Sequence, residues 1–183
     1  MLRPRWPLGP GGRGGLRVAL LALGLGGAVA AAGAPAPGAD AVCGPAAGLG
    51  ARLAGKGAAA VLPRARRAWL EAVATFERCA DGAADDPRAP AAGLALARVT
   101  AELHRQSRLR ADFDLAALRF ATVSTRWPAR PEALDAQLGL AELKLEFGAS
   151  GEALDLFRRL AAAKGRPGAE AVSRRAARAL AIL

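Results

Sequence analysis

The chain has no tyrosine, one histidine and three lysines, and each scarcity removes a class of reading. Without Tyr, and without alternating runs of Val, Ile and Thr, strands have almost no claim. A hydrolytic zinc site needs about three protein ligands, usually with two or more His; His104 alone cannot build one, and neither Cys43 nor Cys79 has a His or carboxylate cluster at metal spacing. There is no Gly-x-x-x-x-Gly-Lys-Ser/Thr phosphate loop and no Gly-x-Ser-x-Gly elbow. The acidic pair Asp85 and Asp86 falls in a turn, where it caps or is solvated. The expectation is a noncatalytic chain with no cofactor and no metal.

Long apolar runs are also missing. Val18 to Ala32 is uncharged and rich in Ala, Leu and Gly, but a membrane span needs about 20 apolar residues, and this stretch is shorter and holds Gly24, Gly26 and Gly27. Preceded by Arg3, Arg5, Arg13 and Arg17 with no acidic residue, it has the layout of a secretory signal peptide over residues 1–32. Ala30 to Ala32 fit small-residue cleavage, leaving Gly33 as the new N-terminus. A lipoprotein anchor at Cys43 is disfavoured because Asp40 stands where an apolar residue belongs. The implied location is periplasmic or secreted, with membrane contact only through the leader if it stays uncleaved.

Basic residues number 26 against 16 acidic, a net charge of +10. Loss of the leader's four arginines leaves 22 against 16, or +6. That charge is mixed along helical segments, the pattern of solvated faces and not of a nucleic-acid stripe. Residues 33–57 are rich in Ala, Gly and Pro without apolar periodicity and read as a flexible lead-in. In an oxidising compartment Cys43 and Cys79 either close a disulfide or leave Cys79 as a small buried residue with Cys43 free.

From Arg64 onward the pattern is helical. Trp69, Leu70, Val73, Phe76 and Ala80 recur at three- and four-residue steps. Further stripes follow to about Ser107, through Leu115 to Trp127, from about Glu132 to Phe147, from Ser150 to Leu160, and from about Glu170 to Ile182. Gly148 is placed to cap the fourth helix, and Ser150 to serve as N-cap of the fifth.

One spacing organises these helices. Ala72 precedes Phe76, Ala116 precedes Phe120 and Ala153 precedes Phe157 by four residues, with Phe-to-Phe intervals of 44 and 37. Periods of this size mark stacked helical hairpins. The fold class expected is all-α: a short solenoid of about three antiparallel helix pairs, tetratricopeptide-like, over residues 58–183. Groove-lining residues should come from the first helix of each pair, which makes Glu102, His104, Arg105, Gln137, Glu142 and Lys144 the candidates.

The run Arg66, Ala68, Trp69, Ala72, Phe76, then Pro87, Ala89, Pro90, Ala92, then Leu103, Ser107, Asp114, Leu115, Ala116, then Trp127, Pro128, Ala133, Asp135 and Ala136 resembles the helical N-terminal region of certain bacterial N-acetylmuramoyl-L-alanine amidases. It is also similar to tetratricopeptide segments of envelope-assembly and cell-division proteins. The resemblance covers about Arg64 to Phe147, and Ser150 to Gly165 fits a further repeat. It implies work in the cell envelope or on peptidoglycan, while the zinc domain of those enzymes has no counterpart among these residues. The expected function is an exported protein–protein interaction scaffold holding a protein or peptide partner, with peptidoglycan as a further ligand; the alternative is the targeting region of such an amidase. The apolar end Ala179 to Leu183 gives a motive for self-association.

Overall fold

The computed structural model describes residues 38–183 except 55 and 84; the 1–32 leader lies outside the described residues. The described residues form helices joined by turns, with no strand among them. The order is α1 (Ala39–Ala54), α2 (Ala58–Val61), α3 (Arg66–Gly82), α4 (Ala89–Ser107), α5 (Arg110–Arg126), α6 (Pro131–Glu146), α7 (Ser150–Ala161) and α8 (Ala169–Ile182).

Helix ends follow local chemistry in some places and depart from it in others. After α6, Gly148 has φ +88°, the amide of Gly148 donates to the Leu145 carbonyl (3.1 Å) and that of Ala149 to the Lys144 carbonyl (2.9 Å). This left-handed turn satisfies the last carbonyls and is a position that favours Gly. Ser150, however, is the first helical residue of α7; the N-cap is Ala149, and no side chain caps the helix. At the α3–α4 turn Asp86 accepts from the Arg88 guanidinium (2.8 and 2.9 Å) and from the Arg88 backbone N–H (2.8 Å). These bonds, the side-chain ones first, hold its carboxyl down at about 2. A carboxyl depressed on folding contributes stability that is fully present above its ordinary value, near 4, and is lost as pH falls through the folded value. The melting temperature of wild type should therefore exceed that of Asp86→Ala by a constant gap above about pH 4, and the gap should close by about pH 2. Calorimetry across that range checks it.

The lead-in expected at residues 33–57 is corrected by α1. Gly44, Gly48 and Gly50 each weaken a helix by about 1 kcal/mol and Pro45 by about 3 kcal/mol, so sequence pattern conceals this element. It forms because Cys43, Ala46 and Leu49 are buried against α3 and α4 and because Cys43 is disulfide-bonded to Cys79 of α3, with a Cα separation of 4.6 Å. In the chain-entropy model, closing a loop of this 36-residue separation contributes about 3–4 kcal/mol. A further tie, Asp40 to Arg88 at 2.8 Å, has an Asp side chain 96% exposed and is screened by water.

From α3 onward each helix packs on the next; in addition α4 touches both α1 and α6, and α6 touches α8. One row is thus α1, α4, α6 and α8, while α3, α5 and α7 make no close backbone contacts with one another among the described residues. The core falls into three clusters, and each contains one of the repeated pairs: Ala72 with Phe76, Ala116 with Phe120, Ala153 with Phe157. All six residues are buried. The small Ala admits the neighbouring helix and the ring fills the space between helices.

Two mid-helix glycines show how closely the rows approach. A Cβ at Gly139 of α6 would lie 2.5 Å from the Phe120 ring, and one at Gly93 of α4 would lie 2.9 Å from the Trp127 ring. Gly139→Ala should lower thermal stability, because overpacking a buried site costs about 1–3 kcal/mol and outweighs the helix propensity that Ala adds, about 1 kcal/mol.

Candidate functional site

On α4, Ala91, Ala95, Arg98, Glu102 and Arg105 recur at three- and four-residue steps and therefore share one face. On α6 the same holds for Glu132, Asp135, Gly139 and Glu142. The two faces, with Arg175 of α8, border a cleft of about 670 Å³ whose far end is closed by Gly50, Leu53 and Ala54 of α1 and by Gly57 and Ala58. The cleft is apolar toward α1 and charged toward α8.

Ion pairs order the charged part. Arg105 donates to Glu146 of α6 through Nε and Nη2 (2.8 and 2.9 Å) and to Glu102 (2.8 Å). The bonds to Glu146, ahead of that to Glu102, raise its already high pKa further, so it stays cationic. Asp135 stands between Arg98 (3.9 Å) and Arg175 (4.0 Å), too far from either for a hydrogen bond. Arg175 also donates to Glu142 at 3.1 Å. Arg98, Asp135 and Arg175 are each at least one-third exposed. Glu132, at the start of α6, has one carboxylate oxygen buried without a hydrogen-bond partner; its nearest cation is Arg130 at 3.9 Å.

Of the candidates read from sequence, the structure brings Glu102, Arg105 and Glu142 into the cleft lining and leaves His104, Gln137 and Lys144 outside it. His104 is buried; its Nδ1 donates to the Leu109 carbonyl at 3.0 Å, and its ring meets Phe113 edge-on at 5.6 Å. Phe147 stacks on Phe113 at 4.0 Å with the Arg110 guanidinium over both rings. Lys144 pairs with Glu152 of α7. Arg98, Glu132, Asp135 and Arg175 were not among the groove candidates read from sequence, although Asp135 belongs to the run that carries the resemblance. The signal that could have found the first three was the charged spacing along α4 and α6.

Elsewhere the charges serve the scaffold. Arg66 of α3 makes a bidentate bond to Asp112 of α5 (2.8 and 2.9 Å), and Ser107 donates to the same carboxylate. The Arg66 bonds first, then that of Ser107, hold Asp112 below the usual carboxylate range. Arg119 of α5 pairs with Glu77 and Asp81 of α3, and Arg126 with Asp81. Among the described residues there is no group of three or more His, Cys, Asp and Glu that could hold a metal, and no helix long and apolar enough to cross a membrane.

Comparison with protein-family models, with curated proteins and with solved structures yields no match to this chain. The fold and the site define an all-helical protein with a charged cleft along one row of helices.

Proposed function

We propose that this protein is an exported, noncatalytic scaffold of tetratricopeptide-like helix pairs that holds a peptide or protein partner in the cleft along α4, α6 and α8. The observation that carries the reading is the cleft: about 670 Å³, bordered by three helices of one row, with Asp135 loosely paired between Arg98 and Arg175 and all three partly exposed. A volume of this size suits a segment of chain, and alternating charges supply orientation more than affinity. Helices α1 and α3, α4 and α5, and α6 and α7 are then successive pairs, with α8 beginning another; contacts of α4 with α6 and of α6 with α8 are those a stack of hairpins makes.

Several features support the rest of the reading. The disulfide suits an oxidising compartment, in keeping with the leader. The one histidine is packed against Phe113 and hydrogen-bonded to backbone, which leaves no imidazole in the cleft for chemistry. Among the residues that carry the amidase resemblance, Trp69, Ala72, Phe76, Ala89, Ala92, Leu103, Ala116, Ala133 and Ala136 are buried. They bear on fold more than on ligand, so the scaffold reading is preferred to wall targeting.

Site-directed photocross-linking tests this. A benzophenone side chain at position 98 or 142 should capture a discrete envelope protein, and one at exposed Arg159 of α7 should not. Arg175→Glu should weaken capture from position 98 by about tenfold, equivalent to 1.4 kcal/mol. Equal capture from both faces, or none from the cleft, removes the reading. Binding of the protein to purified peptidoglycan sacculi without cross-links would favour wall targeting instead.

A further inference from the structure

We propose that the Cys43–Cys79 disulfide is a redox latch: exchange with a dithiol reductant releases α1 as a unit and removes one end of the cleft, while α3–α8 stays folded. The consequence for ligand rests on the cleft reading above; the release of α1 does not.

Helix α1 supplies Gly50, Leu53 and Ala54 to the cleft wall, so whatever holds α1 in place shapes the site. Little else does hold it. Gly44, Pro45, Gly48 and Gly50 make it a poor helix on its own; among its described residues the buried hydrophobic ones are Cys43, Ala46 and Leu49, with Leu53 partly buried against the same cluster. Among the described residues its first turn makes one ion pair, from Asp40, and that pair is solvent-screened. The helix at the other end of the disulfide is anchored independently. In α3, Trp69 is fully buried and donates to the Pro63 carbonyl at 2.9 Å, Arg66 is bidentate to Asp112, and Phe76 shares a core cluster with Leu96, Val99 and Leu103 of α4.

Both cysteines are fully buried, yet a cavity of about 220 Å³ is lined by both and by Ala47 and Ala91, which are exposed. That cavity brings the surface close to the bridge, and a small thiol reaches the sulfurs when α1 opens locally. In the exchange, a thiolate of the reductant attacks one cysteine sulfur, the S–S bond breaks, and the other cysteine leaves as a thiolate and takes up a proton. The reductant's second thiol then gives up its proton and attacks the mixed disulfide, closing the reductant's own disulfide and releasing the first cysteine. Two electrons and two protons pass from dithiol to protein.

Hydrogen exchange read by mass spectrometry, on the purified protein with and without dithiothreitol, tests the latch. Reduction should speed exchange of α1 amides by at least about tenfold and leave those of α4 to α7 within about twofold. Trypsin cleavage at Arg52 and Lys56 should accelerate in step. The Cys43→Ser/Cys79→Ser double variant should show the same exchange map without reductant, and Leu49→Ala in the oxidised protein should not release α1. Protection of α1 that survives reduction overturns the proposal, as does loss of protection in all helices together. None of these readouts needs a ligand, so an empty cleft would refute the scaffold reading and leave the latch to be decided here.

Discussion

Phe120→Ala should destabilise the protein by about 3–5 kcal/mol, the cost of deleting a buried aromatic ring. The ring is 3% exposed, belongs to the central cluster, and presses on Gly139 of α6. Total stability for a domain of this size is on the order of 10 kcal/mol, so urea denaturation will register the loss readily. The pair also makes an internal control. Gly139→Ala is expected to destabilise wild type, because the new methyl would meet the ring; with Phe120 already Ala the obstruction is gone, and the same substitution should become neutral or stabilising through helix propensity. A double-mutant cycle should thus return a coupling of about 1–3 kcal/mol. Additive effects would mean that the contact between α5 and α6 is not as described.

Trp69→Ala should cost a similar amount, about 3–5 kcal/mol. Here a fully buried indole fills the space between α3 and α4, and its Nε1–H donates to the Pro63 carbonyl. Trp69→Phe separates the two contributions: it keeps much of the ring volume and removes the hydrogen bond, and it should cost less than Trp69→Ala by at least about 1 kcal/mol. If both variants were equally destabilised, the hydrogen bond and not the packing would be the main term. Guanidinium unfolding followed by circular dichroism gives both values.

What could be read from sequence was what local periodicity encodes. The Ala–Phe spacing marked three helices, α3, α5 and α7, and each pair does lie in its own core cluster. Gly148 was legible as a helix stop because only a residue tolerant of positive φ suits that turn. Ser150 looked equally legible and was not: a residue that can cap is not obliged to, and Ala149 holds the position without a side-chain bond. Helix α1 was invisible because its composition argues against a helix; burial and a covalent tie to a residue 36 positions away override propensity, and neither is local.

The cleft was half legible for a geometric reason. Successive helical residues are rotated by about 100°, so a position two residues from a cleft residue points to the far side. His104 follows Glu102 by two, Gln137 follows Asp135 by two, and Lys144 follows Glu142 by two. Choosing polar residues of the first helices without regard to this rotation therefore mixed two faces. The four-residue step on which α3, α5 and α7 were read, applied to α4 and α6, selects Arg98 with Glu102 and Asp135 with Gly139 instead.

The ion pairs between α3 and α5 carry a mechanical consequence. Those helices are joined by Arg66, Arg119 and Arg126 reaching across to carboxylates and not by backbone packing, whereas α4 and α6 of the opposite row touch directly. Added salt weakens charge pairs at partly exposed positions and leaves methyl contacts almost untouched. The α4–α6 contact also loses its ion pairs but keeps its direct packing, so the two sides should respond unequally to ionic strength, as the layers of a bimetallic strip do to heat.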